Sequence, residues 1–233
     1  MAQVTQFGTR RTSVDDIYDY LYEEISALRL KPGDKISEAD IATQFGVSRQ
    51  PVRDAFNRLA TLDLLLIRPQ RATEVKRFSM REIVKSRFVR AAVEKEVLRC
   101  AAELCNREGS AILEKALEQQ EDAVRAKDID RFNELDYEFH KTLSQIAQAE
   151  FAFDVIMSEK SKVDRLCKLS MSKGDRMPEL VQDHRAIATA VAGNDADVAI
   201  KAGMLHLSRL DETISRISET NADYFMPENA QVT

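Results

Sequence analysis

The sequence predicts a mainly α chain in two parts: a small helical domain with one short β-hairpin, then an all-helical antiparallel bundle of about six helices. Three observations predict it. Glycine and proline number only 7 and 5 in 233 residues, while charged residues reach 31% and aromatics 6%, a composition that favours amphipathic helices. Strand-like segments are confined to a short stretch before Phe78 and vanish after it. From Met80 to about Glu219, apolar residues recur at helical spacing with only brief breaks.

The first helix spans Val14 to Leu30, with Ile17, Leu21, Ile25 and Leu28 directed inward, and the turn Lys31-Pro32-Gly33-Asp34 closes it. Next comes SEADIATQFGVSRQPVRDAFNRLATL, Ser37 to Leu62, two short helices hinged at a glycine. Ser37 caps the first of the pair, with Asp40 completing a capping-box-like start. Ile41, Ala42 and Phe45 form its apolar face. Gly46 ends it, because glycine enters the left-handed region at little cost. Ser48 caps the second, and Pro51 sits in its first turn, where a missing N–H matters little. Val52, Ala55, Phe56 and Leu59 share one face of that helix; Arg49, Arg53 and Asn57 share the other.

Two short strands, Leu64 to Ile67 and Ala72 to Val75, are joined by the basic turn Arg68-Pro69-Gln70-Arg71 and make a wing. Helix, helix-turn-helix and wing form a complete DNA-reading domain over residues 13–78. An arginine near the start of such a helix can pair with O6 and N7 of guanine in the major groove. The expected DNA contacts are Ser48, Arg49, Gln50, Arg53 and Asn57 from the helix, with Arg68, Gln70 and Arg71 from the wing. The bland alternative is a surface helix hairpin with ordinary exposed arginines.

The formal net charge of −5 looks wrong for a DNA binder, but it conceals an asymmetry. Residues 48–77 hold seven Arg and Lys against three acids, a local excess of +4. Affinity for nucleic acid follows the local basic face rather than the sum. The N-terminus lacks the apolar core of a signal peptide, and no apolar run has membrane-spanning length. Cys100, Cys105 and Cys167 form no CxxC pair, as expected of buried thiols in a reduced, cytoplasmic protein.

Six helices are expected in residues 79–222: Met80 to Arg107 ending at Gly109, Ser110 to Lys127, Asp128 to Ala147, Phe151 to Ser170, Pro178 to Ala192, and Asp195 to about Glu219. A loop around Ser172 to Met177 precedes the fifth. Polar tails, 1–12 and 223–233, flank the two domains. The chain's three histidines, His140, His184 and His206, fall on three different helices, each on or beside the apolar stripe. Asp136 lies four residues before His140, so both side chains can reach one ion. A buried aspartate is costly unless paired or metal-bound. Gly203 would permit close helix approach. Three histidines satisfied separately by core hydrogen bonds are the alternative. One aspartate and three histidines would leave open positions on a divalent ion such as Zn, Ni, Mn or Fe.

The order LKPGDKISEADIATQFGVSRQPVRDAFNRL resembles the winged helix-turn-helix of GntR-family bacterial transcription regulators, over about residues 13–77. Two positions depart from it. Ala72 follows Arg71 where the family wing usually has glycine. Ala39 stands where the best-known branch has a DNA-contacting arginine. The helical part is similar to the all-helical effector domain, FCD, of the family's FadR subfamily. Metal-binding members carry D-x3-H on one helix and single histidines on two later ones. Asp136 and His140 match the pair, and His184 and His206 follow 44 and 22 residues further on. Val89-Arg90-Ala91-Ala92-Val93-Glu94 is similar to the family's V-R-x-x-L-E. The resemblance therefore implies that Arg90 binds an effector carboxylate; the alternative is a salt bridge to Glu94.

The expected protein is a homodimeric, ligand-responsive regulator, more often a repressor in this family. It would bind a pseudo-palindromic double-stranded operator, a divalent metal and a small carboxylate effector. A metal sensor is one alternative. A metalloenzyme with an appended DNA-binding domain is another, disfavoured because the ligands have no HExxH and no clustered carboxylate pair beside them. Asp183, next to His184, is expected to point elsewhere.

Overall fold

The computed structural model describes residues 12–167 and 173–227. The chain divides into two compact units: Ser79–Ala222, and the chain up to Phe78 together with the chain from Asp223. Among the described residues no helix is long and apolar enough to cross a membrane.

The smaller unit holds α1 (Ser13–Ser26), β1 (Lys35–Ile36), α2 (Glu38–Phe45), α3 (Arg49–Thr61), β2 (Leu65–Leu66) and β3 (Thr73–Val75). Ile17, Leu21 and Ile25 of α1 pack with Val52, Ala55, Phe56 and Leu59 of α3, closed by Leu65 and Val75. Thr12, assigned to a tail by the sequence, caps α1 in a reciprocal capping box with Asp15. Helix α1 stops at Ser26, short of the expected Leu30, because Leu28 turns left-handed at φ 60°. Leu28 is therefore only half-buried and lies off the helix. Ser37 Oγ accepts from the Asp40 N–H at 3.3 Å. Gly46 is left-handed at φ 65°, and the Val47 N–H reaches back to Ala42 O at 3.0 Å. That bond satisfies a carbonyl the helix end would strand. Ser48 occupies the N-cap of α3 without a side-chain cap bond.

The sheet has three strands in the order β1-β3-β2, all antiparallel, with Ile36 opposite Thr73 and Leu65 opposite Val75. Strand β1 is two residues long, too short for alternation to announce it. In the wing turn the left-handed residue is Gln70 (φ 57°), with the Arg71 N–H on Arg68 O at 3.3 Å. Ala72 therefore needs no glycine-like conformation. The tail expected from 223 is held as far as the described residues go. Phe78 N–H donates to Tyr224 O at 2.9 Å, Met226 N–H donates to Phe78 O at 2.8 Å, and the Phe78 and Phe225 rings are 5.6 Å apart.

The larger unit holds α4 (Met80–Leu104), α5 (Arg107–Ala126), α6 (Ile129–Ile146), α7 (Glu150–Cys167), α8 (Lys173–Ala192) and α9 (Ala196–Thr220). Val97, Leu98 and Ala101 of α4 form its core with Leu113, Leu117, Phe139, Leu143, Ile156, Ile187, Val191 and Ala199. A Cβ on Gly203 would fall 2.2 Å from Leu98 Cδ1, so any side chain there would require the Leu98 side chain to move. Two boundaries differ from expectation. Asn106 caps α5 by accepting from the Gly109 N–H at 2.9 Å, so Gly109 opens that helix instead of closing α4. Helix α8 begins at Lys173 and carries Pro178 inside it, where a loop to Met177 was expected. The expected end of α7 at Ser170, and Ser172, lie outside the described residues. Cys100 and Cys105 are free thiols, half-buried rather than buried; the Cys167 side chain is not among those described.

Candidate functional site

In the smaller unit, Ser48 at the start of α3 and Arg49, Gln50, Arg53 and Asn57 on its outer face are all exposed, and Arg68, Gln70 and Arg71 are exposed in the wing. The helix-turn-helix is braced by its own charges. Arg53 Nε meets Glu38 Oε2 of α2 at 2.9 Å, and Gln50 Nε2 donates to Asp54 Oδ1 at 3.0 Å. Arg58, also in the basic segment, faces α1 instead. It meets Asp15 Oδ1 at 2.9 Å and lies over the Tyr18 ring at 4.2 Å. Arg68 approaches Glu74 at 3.4 Å across the wing. These pairs between exposed groups contribute little stability; they aim side chains.

In the helical unit Asp136 and His140 of α6, His184 of α8 and His206 of α9 converge. One potential ligand atom from each lies within 4.8 Å of the others. The ring centres are 4.7 Å apart for His184 and His206, 5.6 Å for His140 and His206, and 5.7 Å for His140 and His184. The geometry brings the four together, and each ring also has a polar neighbour of its own: Gln120 for His184, Glu94 for His140 and Asp183 for His206.

A surrounding layer sets which nitrogen of each ring faces inward. Gln120 of α5 donates its amide to Leu135 O at 3.2 Å, which turns its Oε1 toward His184 Nδ1 at 2.7 Å. His184 Nδ1 then carries the proton, and its bare Nε2 faces Asp136 Oδ1 at 3.5 Å. Glu94 Oε2 lies 3.3 Å from His140 Nδ1, and Arg90 Nε donates to Glu94 Oε1 at 2.6 Å. Asp183 Oδ2 lies 3.7 Å from His206 Nδ1, and the Arg209 guanidinium holds Asp183 with two bonds of 3.2 Å. His140 Nε2, His184 Nε2 and His206 Nδ1 are buried with no hydrogen-bond partner. Buried polar atoms are seldom left so. Two of them, His140 Nε2 and His184 Nε2, lie opposite the nitrogens that face Glu94 and Gln120, whereas His206 Nδ1 is the nitrogen beside Asp183. Imidazoles gathered in this way beside a carboxylate fit a divalent ion of nitrogen and oxygen preference.

Electrostatics suit the same chemistry. Burial would raise the Asp136 carboxyl, but Lys160 and the three histidines hold it well below the usual carboxylate range. Burial likewise opposes ionisation of Glu94, and Arg90 and His140 reverse it. Asp183 is lowered despite its burial by His206 and Arg209. His184 is pushed well below the ordinary histidine value, first by burial and then by His206. It is therefore a neutral imidazole, the form that ligates metals.

Arg90 is buried and bound to Glu94, the pairing the sequence offered as the alternative to effector contact. It also borders a pocket of about 230 Å3 with Ser86, Arg87, Glu159, Val163 and Leu207. Sequence reasoning missed Gln120 and Lys160 and misplaced Asp183, which faces the His206 ring rather than pointing away. Gln120 and Lys160 did carry a signal. Each interrupts an apolar helical stripe, after Leu113 and Leu117 in one case and between Ile156 and Val163 in the other.

Comparison with known proteins agrees with this architecture. A family model described as bacterial regulatory proteins, gntR family, matches residues 6–75, and the FCD domain model matches residues 86–209. The chain is 36% identical to the HTH-type transcriptional repressor RspR of Escherichia coli K12, over 98% of this chain and all of that one. It is 27% identical to a probable D-xylose utilization operon transcriptional repressor of Paenarthrobacter nicotinovorans, over 86% of this chain and 88% of that one. Among solved structures, E. coli McbR/YncC shares the fold at a TM-score of 0.63 and 17% identity, covering 91% of this chain and 99% of that one. A putative GntR regulator from Rhodococcus sp. RHA1 does so at 0.62 and 18%, covering 88% and 97%.

Proposed function

We propose, from the premise that this chain belongs to the gntR family of bacterial regulatory proteins and carries an FCD domain, that its operator binding answers to a small carboxylate effector at a divalent metal. As a member of that family it is a DNA-binding transcription regulator and not an enzyme. Repression is the sign its named relatives favour.

The observation that carries the metal reading is the convergence of Asp136, His140, His184 and His206, with the buried His140 Nε2 and His184 Nε2 left without a hydrogen bond. Those four residues would hold the ion, which is Zn, Ni, Mn or Fe on ligand chemistry. When bound, the ion supplies open positions to a carboxylate oxygen of a hydroxy acid, sugar acid or dicarboxylate. Gln120, Glu94 and Asp183 orient the three imidazoles, as outer partners of metal-bound histidines do. Arg90, on the pocket wall, is the effector-facing cation in this reading. Its bond to Glu94 links it to His140.

At the output end, Arg49 and Arg53 read bases, with Ser48, Gln50 and Asn57 beside them, and Arg68, Gln70 and Arg71 meet the backbone. Two copies in a homodimer place two α3 helices in successive major grooves of a pseudo-palindromic operator. The effector acts only through different affinity for the DNA-competent and DNA-incompetent forms.

The test uses DNA that the purified protein selects from a random pool. Lactate, malate and gluconate are titrated against that complex. The acid that shifts operator affinity loses its effect in Asp136→Ala and His184→Ala and after chelation. A response that survives metal removal contradicts the metal-anchored reading. An ion that shifts operator affinity with no acid present favours the metal sensor.

A further inference from the structure

Helix α7 brings to the cluster a cation rather than a ligand. Lys160 is buried, on the same helix face as Ala152, Ile156 and Val163. Its Nζ lies 3.3 Å from Asp136 Oδ2 and 3.9 Å from the centre of the Tyr137 ring. The other Asp136 oxygen faces His184 Nε2 at 3.5 Å. One carboxylate thus stands between a buried ammonium and the three imidazoles. An ammonium in such a place is costly unless a carboxylate and an aromatic face compensate it, and both are present.

A divalent ion shared by Asp136, His140, His184 and His206 would enter within a few ångströms of that ammonium and draw on the same carboxylate. We propose that Lys160 is a resident counter-cation: it holds Asp136 whenever no ion is bound, competes with the metal for that carboxylate, and so sets the metal affinity of the site. The inference rests on the metal reading above and deepens it.

Two effects act in one direction. Like charges a few ångströms apart repel strongly inside a protein, where screening is weaker than in water. Removing the lysine also leaves Asp136 buried without its cation, which penalises the ion-free form. Both shift the balance toward ion uptake. A lysine that only supported packing would give no such gain.

The experiment uses full-length, tag-free protein treated with chelator and then dialysed. Zinc affinity is measured by competition with a chromophoric chelator for wild type, Lys160→Met and Lys160→Arg, and thermal unfolding is recorded without zinc. Lys160→Met should melt lower without zinc, yet bind zinc at least about tenfold more tightly. Lys160→Arg, which keeps the charge on a bulkier planar group, should show no such gain in zinc affinity. Lower melting with equal or weaker zinc binding overturns the proposal and leaves Lys160 a structural residue. No zinc binding by wild type or Lys160→Met overturns the metal reading itself, and this inference with it. Lys160→Gln gives the same reading if the methionine variant does not fold.

Discussion

The two units place their polar chemistry in opposite ways. In the DNA-binding unit the buried residues are apolar apart from Thr73, from Ile17, Leu21 and Ile25 through Val52, Phe56 and Leu59, and every candidate contact residue sits outside that core. In the helical unit, Arg90, Glu94, Gln120, His140, Lys160, Asp183, His184 and His206 are buried, with Asp136 nearly so. The first unit can lose a functional side chain without disturbing its packing. The second cannot, because its functional groups hold one another. Stability and function are separable in one unit and joined in the other.

The sharpest way to break that contrast is to remove one partner from each unit. Glu94→Ala leaves the Arg90 guanidinium buried without its carboxylate, and should cost about 3–5 kcal/mol of stability in urea unfolding. A loss under 1 kcal/mol would mean that the buried network supports nothing. Arg49→Ala should leave urea unfolding within about 0.5 kcal/mol of wild type while costing about 1–3 kcal/mol in specific DNA binding. Equal losses on selected and random DNA would show that Arg49 touches phosphate rather than bases.

A smaller effect sharpens the surface side of the contrast. Asp15 is held at about 2, below its ordinary 3.8, chiefly by hydrogen bonds from Thr12 and then Arg58. A depressed carboxyl contributes stability above its unfolded value and loses it as pH falls through the folded one. Thr12→Ala should therefore lower the thermal midpoint slightly at pH 7, and the difference from wild type should shrink as pH falls toward 2. A constant difference across that range would exclude the Asp15 carboxylate as its source.

The same contrast explains what could be read from residues alone. Exposed function leaves an exposed pattern: Arg49, Arg53 and Asn57 recur on one face of a helix whose other face is apolar, with Gly46 ending the helix before it and Pro51 in its own first turn. Buried function is legible only where residue types are rare. Three histidines in 233 residues, with Asp136 one turn before His140, drew notice. Gln120 and Lys160 did not, although each breaks an apolar stripe, because glutamine and lysine are ordinary on helices. Sequence shows that Asp183 flanks His184 but not which helix lies on that flank; it is α9, with His206. Boundaries failed for local reasons: Leu28 turns left-handed, and Asn106 outcompetes Gly109 as the place where two helices part.

Native mass spectrometry of zinc-loaded protein tests most directly whether Asp136, His140, His184 and His206 together hold one divalent ion. Wild type should carry one ion per chain, and Asp136→Ala and His184→Ala less than about a tenth of that, as expected when a side chain that touches the ion is lost. Wild type that carries no ion, or variants that carry it undiminished, would contradict the claim.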